Sequence, residues 1–360
     1  MKIRLEQSQF AETVSWVLRA VHTRTTLPAL GGILFHASGN TLTLTGTDQD
    51  LTGQLQIEVA VDEPGSLLLP GRLLGDIAKS LTGGAVRIET EGTQATISSG
   101  SANFTLRTLP LEDFPGFDAA SGPSGTVAFA DFAAAVHQVA RAASGDEVRP
   151  VLTGILVEVE GEEATLVATD SYRLAVRKLA LAGVADAMRK VIPARSFNEA
   201  ARMATEGAIT ITLGETKAGF STGTRTLTSR LIDGEFPNWR NLIPTELPSK
   251  LTVQRDLFVE AIKRVGLLAH AGAPVKLHLS EGGATLSAGS QDLGDATEAL
   301  EAKYEGEEMT VAFNPAYLTD GVSAISGSEA VLLVRDGLKP AVLRAPDDDT
   351  FTYLVMPVRL

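Results

Sequence analysis

Apolar residues along this chain recur with two different periods, one typical of helices and one typical of strands. In the segment "EQSQFAETVSWVLRAV", Phe10, Val14, Leu18 and Val21 are spaced so that they share one face of a helix. Runs such as "KIRLE" and "LTLTGTD" alternate apolar and polar residues, as strands with one buried face do, and Gly-rich turns separate these runs. The pattern predicts an α+β protein in which short antiparallel strands flank each helix.

This arrangement of a helix flanked by short strands occurs three times in the sequence. The helical spacing returns in "AFADFAAAVHQVARAA", around Phe132, and in "VQRDLFVEAIKRVGLL", where Leu257 and Ala261 begin the apolar face. A distance of 122 residues separates Phe10 from Phe132, and the third copy lies about 120 to 125 residues further on. Such a constant register predicts three repeated domains, each with two helices and about eight strands. The predicted domains span residues 1–120, 121–246 and 247–360.

A Thr-Asp pair ends a strand in each of the first two copies, at Thr47-Asp48 and at Thr169-Asp170. An acid in an active site seldom occurs in duplicate, whereas a Thr-Asp pair at a strand end can accept hydrogen bonds from backbone amides and fix a turn. We therefore interpret Asp48 and Asp170 as turn residues, with a catalytic Asp170 as the alternative.

Known catalytic motifs give little support to an enzyme. The segment "GFSTG" matches the nucleophile elbow around Ser221, but the next residues alternate as a strand rather than a helix, which favours a hairpin turn. Asp347, Asp348 and Asp349 suggest a solvated loop between strands more than a cation site. No spacing typical of metal ligands connects the histidines, which are His22, His36, His137, His270 and His278. The sequence predicts no metal, no cofactor and no catalysis, and a hydrolase using Ser221 is the alternative.

Composition narrows the class of protein further. The 360 residues are 44% hydrophobic and 21% charged, which is ordinary for a globular protein. The absence of cysteine excludes disulfides, thiolate zinc sites and cysteine nucleophiles. The N-terminus lacks the apolar segment of a signal peptide, and no run reaches the roughly 18 apolar residues of a membrane span. These features predict a cytoplasmic protein.

The net charge of -13 is unevenly distributed. Eight basic and seven acidic residues fall in the predicted helices, so the helices sum to +1 and the rest of the chain to -14. These helices span residues 9–21, 71–81, 131–142, 194–205, 256–268 and 314–325. Basic helical residues usually solvate a surface, and the second interpretation is sequence-independent contact with phosphates.

Several segments together resemble one family, the bacterial sliding clamps, which are the beta subunits of DNA polymerase III. The matching segments occur in order along the whole chain, and they are "RTTLPALGGIL", "LTLTGTD", "FTLRTLPLEDFP", "VATDSYRLAV", "DGEFPNWRNLIP" and "YLVMPVRL". The resemblance implies that three clamp domains form a half-ring and that two chains close head to tail around duplex DNA, with helices lining the hole. It implies a homodimer that tethers the polymerase alpha subunit, the clamp loader and repair proteins. A monomeric scaffold of three repeats is the alternative.

The resemblance also assigns residues to DNA and to the dimer interface. DNA contact is implied for Arg24, Arg72 and Arg149, with Lys79, Arg195 and Arg202 as further lining charges. A lining of low net charge fits a protein that must slide, because affinity rises with every phosphate contact. The implied dimer interface joins the strand near Phe104 and Leu106 to the region of Leu267 and Leu268.

A surface pocket for short peptides is the third implication of the resemblance. The residues implied to form it are Leu152, Thr169, Ser171, Tyr172, Arg173, Leu174, Pro237, Asn241, Leu242, Leu338, Pro340, Val355, Met356, Pro357, Val358, Arg359 and Leu360. Many clamps carry Gly-His in place of Ser171-Tyr172 and an arginine in place of Asn241, so we expect a different peptide preference. An apolar groove with a flexible methionine suits linear peptides from several partners.

Overall fold

The computed structural model describes residues 1–22, 25–184, 187–204, 206–269, 273–290 and 294–360. The chain forms two compact units. The first unit contains Met1–Phe129 and Glu199–Leu231, and the second contains Ala130–Asn198 and Ile232–Leu360.

The helices of the described residues lie where the apolar spacing predicted them, and most ends agree within two residues. Their bounds are α1 Gln7–Val17, α2 Gly71–Ser80, α3 Phe129–Val139, α4 Ala194–Ala200, α5 Arg255–Gly266 and α6 Pro315–Ala324. Short 3₁₀ turns lie at Leu18–Ala20, Pro28–Gly31, Ala140–Ala142, Pro150–Thr153 and Trp239–Leu242. At α6, Asn314 caps the helix by accepting hydrogen bonds from the amides of Ala316 and Tyr317, and Pro315 occupies the first helical position.

The prediction extended three helices too far and assigned one buried face wrongly. Helices α1 and α3 end at Val17 and Val139, where 3₁₀ turns follow. Helix α4 ends at Ala200 rather than near residue 205, because the backbone changes to i→i+3 hydrogen bonds at Arg202 and Met203. In α5 the buried face begins at Phe258, which is fully buried, while Leu257 is 53% exposed. The face was assigned one residue too early because Leu257 and Phe258 are both large and apolar.

The first unit contains two antiparallel sheets. One has the strand order β5-β1-β7-β8-β9, and the other has the order β10-β15-β16-β17-β4-β3-β2-β6. The strands of the first copy are β1 Lys2–Glu6, β2 Gly32–Ser38, β3 Thr41–Thr47, β4 Leu51–Glu58, β5 Ala60–Glu63, β6 Gly65–Pro70, β7 Ala85–Glu91, β8 Gln94–Ser99 and β9 Ala102–Arg107. The middle copy adds β10 Ser124–Ala128, β15 Ala208–Leu213, β16 Lys217–Thr222 and β17 Arg225–Arg230. Strand β17 pairs with β4, with Thr228 opposite Thr52, so one sheet continues from the first copy into the middle copy.

The second unit also contains two antiparallel sheets. Their strand orders are β14-β11-β12-β13-β26-β25-β24-β18-β22 and β21-β20-β19-β23. The middle copy supplies β11 Gly154–Glu160, β12 Glu163–Thr169, β13 Arg173–Ala180 and β14 Met188–Pro193. The third copy supplies β18 Ser249–Gln254, β19 Val275–Ser280, β20 Gly283–Ser290, β21 Gly294–Glu301, β22 Lys303–Glu305, β23 Met309–Phe313, β24 Glu329–Val334, β25 Ala341–Arg344 and β26 Phe351–Val355. Strand β13 pairs with β26, with Leu174 opposite Leu354, which repeats the pairing of β4 with β17.

The buried faces of helices and strands meet in cores that follow the repeat. Phe10, Phe132 and Phe258 occupy the fourth position of α1, α3 and α5, and all three are fully buried. In the second unit the rings of Phe132 and Phe197 stack with centroids 5.9 Å apart. The alternation of buried and exposed positions in strands such as β1, β7 and β15 agrees with the predicted one-sided burial.

Candidate functional site

The Thr169-Asp170 pair fixes a tight turn between β12 and β13. Asp170 Oδ1 accepts hydrogen bonds from the amides of Tyr172 and Arg173 at 2.9 and 3.0 Å, and Thr169 Oγ1 accepts from the amide of Ser171 at 3.1 Å. Ser171 has a φ of 81°, which non-glycine residues rarely adopt. The predicted structural role of Asp170 is confirmed, and the turn leaves Tyr172 60% exposed.

Arg173 lies at the centre of a polar cluster beside this turn. Its Nε is 3.0 Å from Asp170 Oδ2, its Nη1 donates to Asp320, and its guanidinium lies 4.4 Å from the centre of the Tyr317 ring. Burial lowers the pKa of Arg173, but the hydroxyl of Tyr353 and the Asp320 carboxylate more than offset this and raise the pKa above its ordinary value. Arg173 is therefore a permanently charged, well-fixed group rather than a mobile surface arginine.

An aromatic pair extends the cluster toward solvent. The rings of Tyr172 and Tyr317 stack with their centroids 6.3 Å apart. Tyr317 comes from α6, and its carbonyl accepts a hydrogen bond of 3.0 Å from the hydroxyl of Tyr353. Tyr317 and Asp320 were missed by the sequence analysis. Their i, i+3 spacing on one helix face indicated that they lie together, but nothing local indicated which turn they would meet.

Several of the predicted pocket residues are buried. Leu174 is almost completely buried and shares a core cluster with Leu354, Phe236 and Trp239, of which Leu354 was not among the predicted pocket residues. Other predicted pocket residues are buried to a similar degree, and they are Leu152, Thr169 and Val355. These side chains expose little surface of their own.

Most of the remaining predicted residues are exposed or half-buried. The Met356 amide donates to the Tyr172 carbonyl at 2.8 Å, which holds the C-terminal segment against the turn. Large apolar side chains that stay exposed here are Tyr172, Leu242, Leu338, Met356 and Leu360. Pro237, Asn241 and Arg359 are exposed, and Pro340, Pro357 and Val358 are half-buried. We call the predicted pocket residues together the C-terminal groove, and this set combines apolar side chains with one fixed cation, Arg173. Exposed apolar surface of this kind marks interaction sites.

A buried carboxylate supports one wall of the C-terminal groove. Glu158 on β11 accepts a hydrogen bond from the Trp239 indole nitrogen at 3.1 Å and forms ion pairs with Arg240 at 2.9 Å and Arg189 at 3.2 Å. Arg189 also donates to the Phe236 carbonyl at 3.0 Å. These contacts fix the segment that carries Asn241 and Leu242. A buried charge needs such partners, so Glu158 could be found only once its neighbours were known.

The basic residues assigned to DNA are distributed over both units. Arg72 and Lys79 are exposed on α2, seven residues apart and so on similar faces. Arg195 is exposed on α4, and Arg202 lies beyond the end of α4 and pairs with Glu199 at 3.0 Å. Arg149 donates to Ser171 Oγ at 3.0 Å, next to the C-terminal groove. Arg24 lies outside the described residues.

The residues assigned to the dimer interface lie at a sheet edge and at a helix end. Phe104 and Leu106 belong to β9, which is an outer strand of its sheet. Leu106 is buried and Phe104 is half-buried. Leu267 follows α5 and is 79% exposed, and Leu268 is half-buried.

The rejected catalytic motifs have structural roles. Ser221 lies in β16 opposite Thr226 of β17, and Gly223 takes a φ of 53° in the turn between the two strands. The hairpin interpretation is thus confirmed, and the strand-to-helix elbow is not formed. Asp348 pairs with Arg177 at 2.9 Å in the loop before β26. Across the described ranges, no helix is long and apolar enough to cross a membrane.

Comparison with known proteins shows the family. Three family models match in series: the N-terminal domain of the DNA polymerase III beta subunit at residues 1–118, the central domain at 126–238 and the C-terminal domain at 240–359. The chain belongs to the DNA polymerase III beta subunit family, the bacterial sliding clamps.

Individual relatives agree over the full length. The beta sliding clamp of Streptomyces coelicolor is 39% identical, and the match covers 100% of both chains. The crystal structure of the Bacillus subtilis sliding clamp has a TM-score of 0.96 and 32% identity, and the match covers 100% of this chain and 99% of that one. The Pseudomonas aeruginosa clamp bound to griselimycin also has a TM-score of 0.96, with 29% identity and coverage of 100% of both chains.

Proposed function

We propose that this protein is the processivity factor of the replicative DNA polymerase. In this role it encircles duplex DNA as a homodimeric ring, slides along it and tethers the polymerase, the clamp loader and repair proteins. The observation that carries the proposal is the full-length match to three beta-subunit domains in series, with a TM-score of 0.96 to a sliding clamp. Its contribution to DNA synthesis is tethering, which raises the effective concentration of a bound polymerase and requires no catalysis. The domain division at residues 1–120, 121–246 and 247–360 is part of this proposal.

The internal repeat supports a particular register for the dimer. Strand β17 pairs with β4, and β26 pairs with β13 in the same way. In the first copy the strand equivalent to β17 and β26 is β9, and in the third copy the strand equivalent to β4 and β13 is β21. Within the described chain neither strand has the corresponding partner, and each is the outer strand of its sheet. We transfer to the dimer the register in which Thr228 lies opposite Thr52. Pairing β9 of one chain with β21 of the other in this register places Thr105 opposite Asp295. Pairing these edges would also remove two exposed sheet edges from solvent.

A cysteine pair tests this register sharply, since the chain contains no cysteine. Opposite residues in an antiparallel pair have Cα atoms roughly 4.5 to 5.5 Å apart, within the range of a disulfide. Thr105→Cys combined with Asp295→Cys should therefore form an intermolecular disulfide on oxidation. Thr105→Cys with Thr297→Cys is the matched control, displaced by two residues. Equal crosslinking of both pairs, or of neither, would contradict the register.

The same crosslink tests the ring. The double-cysteine protein is oxidised in the presence of a closed circular plasmid and then washed in high salt, which removes phosphate contacts but not a topological link. We expect the crosslinked protein to stay with the circle and to leave after a single restriction cut. Loss from the circle in high salt would overturn the encircling mechanism, and the register test above would be unaffected.

Contact with DNA through Arg72 and Lys79 is the next part of the proposal. Arg72→Ala with Lys79→Ala should weaken DNA association and lower its salt dependence by about one unit of slope for each lost contact. Arg87→Ala is the control, because Arg87 is exposed on a strand, β7, rather than on a helix. An unchanged salt slope would remove α2 from the DNA-binding surface. Arg149, Arg195, Arg202 and Arg24 remain proposed contacts to be tested in the same way.

The C-terminal groove is the proposed peptide site. Griselimycin, bound by the Pseudomonas aeruginosa clamp, is a suitable probe. Leu242→Ala with Leu338→Ala should weaken binding of labelled griselimycin at least tenfold, because both are exposed apolar side chains among the predicted pocket residues. Leu257→Ala, which removes another exposed leucine of the second unit, is the control. Equal affinity of both variants would place the site elsewhere.

A further inference from the structure

A second cleft lies beside the Thr-Asp turn of the first copy, within the first unit. It has a volume of about 250 Å³, and its lining includes Thr47, Thr52, Thr228, Lys217 and Arg230. We call it the threonine cleft. Its lining comes from strands β3, β4, β16 and β17 and from the loop after β9.

The threonine cleft occupies the position that the C-terminal groove occupies in the second unit. Thr47 is equivalent to Thr169 in the repeat. Gln49 and Ser171, each two residues further along, share a rare backbone conformation, with φ angles of 80° and 81°. Among the described residues these are the non-glycine positions with positive φ. The register of β17 on β4 then makes Thr228 the counterpart of Leu354, since Thr228 faces Thr52 as Leu354 faces Leu174.

The chemistry of the two sites differs although the backbone is repeated. Leu174 of the groove and Leu354 opposite it are replaced by Thr52 and Thr228 in the cleft. The hydroxyls of Thr47 and Thr52 lie 2.8 Å apart and share a hydrogen bond. Thr228 is 5% exposed, and its Oγ1 has no hydrogen-bond partner in the described part of the chain. A buried unused hydroxyl is unfavourable, and a polar occupant that bonds it after rotation of the Thr228 side chain would relieve this cost.

Charge gives the second, independent indication. Lys217 and Arg230 lie directly opposite each other on β16 and β17, an arrangement in which like charges repel. Lys217 is neutralised by Asp118 at 2.8 Å, but Asp118 is 81% exposed, so this ion pair is weak. Arg230 is exposed and makes no side-chain ion pair within the described ranges. An incoming carboxylate would relieve the repulsion and gain a forked hydrogen bond from the guanidinium.

We propose that the threonine cleft binds a polar peptide segment through one carboxylate, held by Arg230 and Lys217 with threonine hydroxyls as further partners. A single carboxylate is favoured over a polyacidic segment, because Asp50 and Asp118 also line the cleft. A peptide is favoured because the backbone repeats that of the C-terminal groove, and to this extent the inference rests on the proposed function. Rotation of the Thr228 side chain would turn its hydroxyl toward the occupant.

The probe is the blocked tripeptide acetyl-Ser-Glu-Thr-amide, titrated into isotope-labelled full-length protein while amide signals of the cleft are followed. We expect saturable shifts at Thr47, Thr52 and Thr228, at least a tenfold loss of affinity in Arg230→Gln and no loss in the control Arg87→Gln. Acetyl-Ser-Gln-Thr-amide should bind at least tenfold more weakly. Equal binding of the two tripeptides, or equal affinity of the two variants, would overturn the proposal.

Two further measurements separate the alternatives. Sodium acetate binding as tightly as the tripeptide would show that the cleft takes an isolated anion, which contradicts a peptide site. Griselimycin affinity in Arg230→Gln reports on the C-terminal groove alone and should equal that of the unaltered protein. In the unaltered protein, griselimycin binding without any tripeptide binding would reject only the inference about the threonine cleft, whereas tripeptide binding without griselimycin binding would reject only the proposed groove.

Discussion

The indole nitrogen of Trp239 donates a 3.1 Å hydrogen bond to Glu158, a carboxylate that is almost completely buried. Arg240 stacks on the Trp239 ring, with its guanidinium 4.5 Å from the ring centre, and pairs with the same carboxylate. One acid on β11 thus holds the segment that carries Asn241 and Leu242. The shape of the C-terminal groove therefore depends on Glu158, which fixes one of its segments but is itself buried.

Replacing this acid by its neutral isostere should weaken both folding and binding. Glu158→Gln keeps the shape but loses charge-assisted bonds to two arginines, so we expect a loss of about 1 to 3 kcal/mol in urea unfolding. Griselimycin binding should weaken as well. Glu160→Gln is the control, because Glu160 is 78% exposed and 3.8 Å from Arg240, and exposed pairs contribute little. Equal stabilities for the two variants would contradict the supporting role of Glu158.

The two threonines of the cleft should respond oppositely to removal of their hydroxyls. Thr47 Oγ1 accepts from the Gln49 amide at 3.0 Å and bonds Thr52, so Thr47→Val should lower the free energy of unfolding by about 1 to 2 kcal/mol. Thr228 has no such partner, and Thr228→Val should be neutral or slightly stabilising. Chemical denaturation of both variants provides the test, and a larger loss in Thr228→Val would show that its hydroxyl is used after all.

Gly321 on α6 should tolerate no side chain. A Cβ placed there would lie 2.5 Å from the ring of Tyr353 and 2.8 Å from Leu343, both tightly packed. Gly321→Ala should destabilise the protein by about 1 to 3 kcal/mol through overpacking, despite the better helix propensity of alanine. Gly266→Ala on α5 is the contrasting case, since its nearest neighbour would be 3.4 Å away. Thermal unfolding should give shifts of opposite sign.

Stability should fall on mild acidification because of His137. Burial and the neighbouring Arg141 lower the pKa of His137 in the folded state, so the unfolded chain binds the proton first as the pH falls below about 6.5. The stability that depends on neutral His137 is present above about pH 6.5 and is lost as the pH falls through the folded-state pKa. Urea midpoints at about pH 7.5 and about pH 5 should differ less in His137→Gln than in the unaltered protein. Identical pH dependence would assign the effect to other groups.

The secondary structure was largely predictable because it follows from local spacing. The helix faces at Phe10 and Phe132 were correct, and the turn role of Asp170 followed from the duplicated Thr-Asp pair. The error at Leu257 arose because two large apolar residues are adjacent there, so spacing alone allowed either of them to begin the buried face of the helix. The end of α4 depended on backbone hydrogen bonds that the residue types alone do not predict.

The sequence by itself determined the repeat, the alternation of strands and helices, and the family, because periodicity and ordered motifs are properties of the chain. Only the tertiary structure decided which strands pair across copies, as β17 with β4 and β26 with β13, since the pairing joins residues at least 170 positions apart. It also decided that Tyr317 stacks on Tyr172, that Glu158 is buried beneath Trp239 and that Thr228 lacks a partner. These facts depend on what surrounds a side chain, and burial and hydrogen bonding are set by neighbours that are distant in sequence.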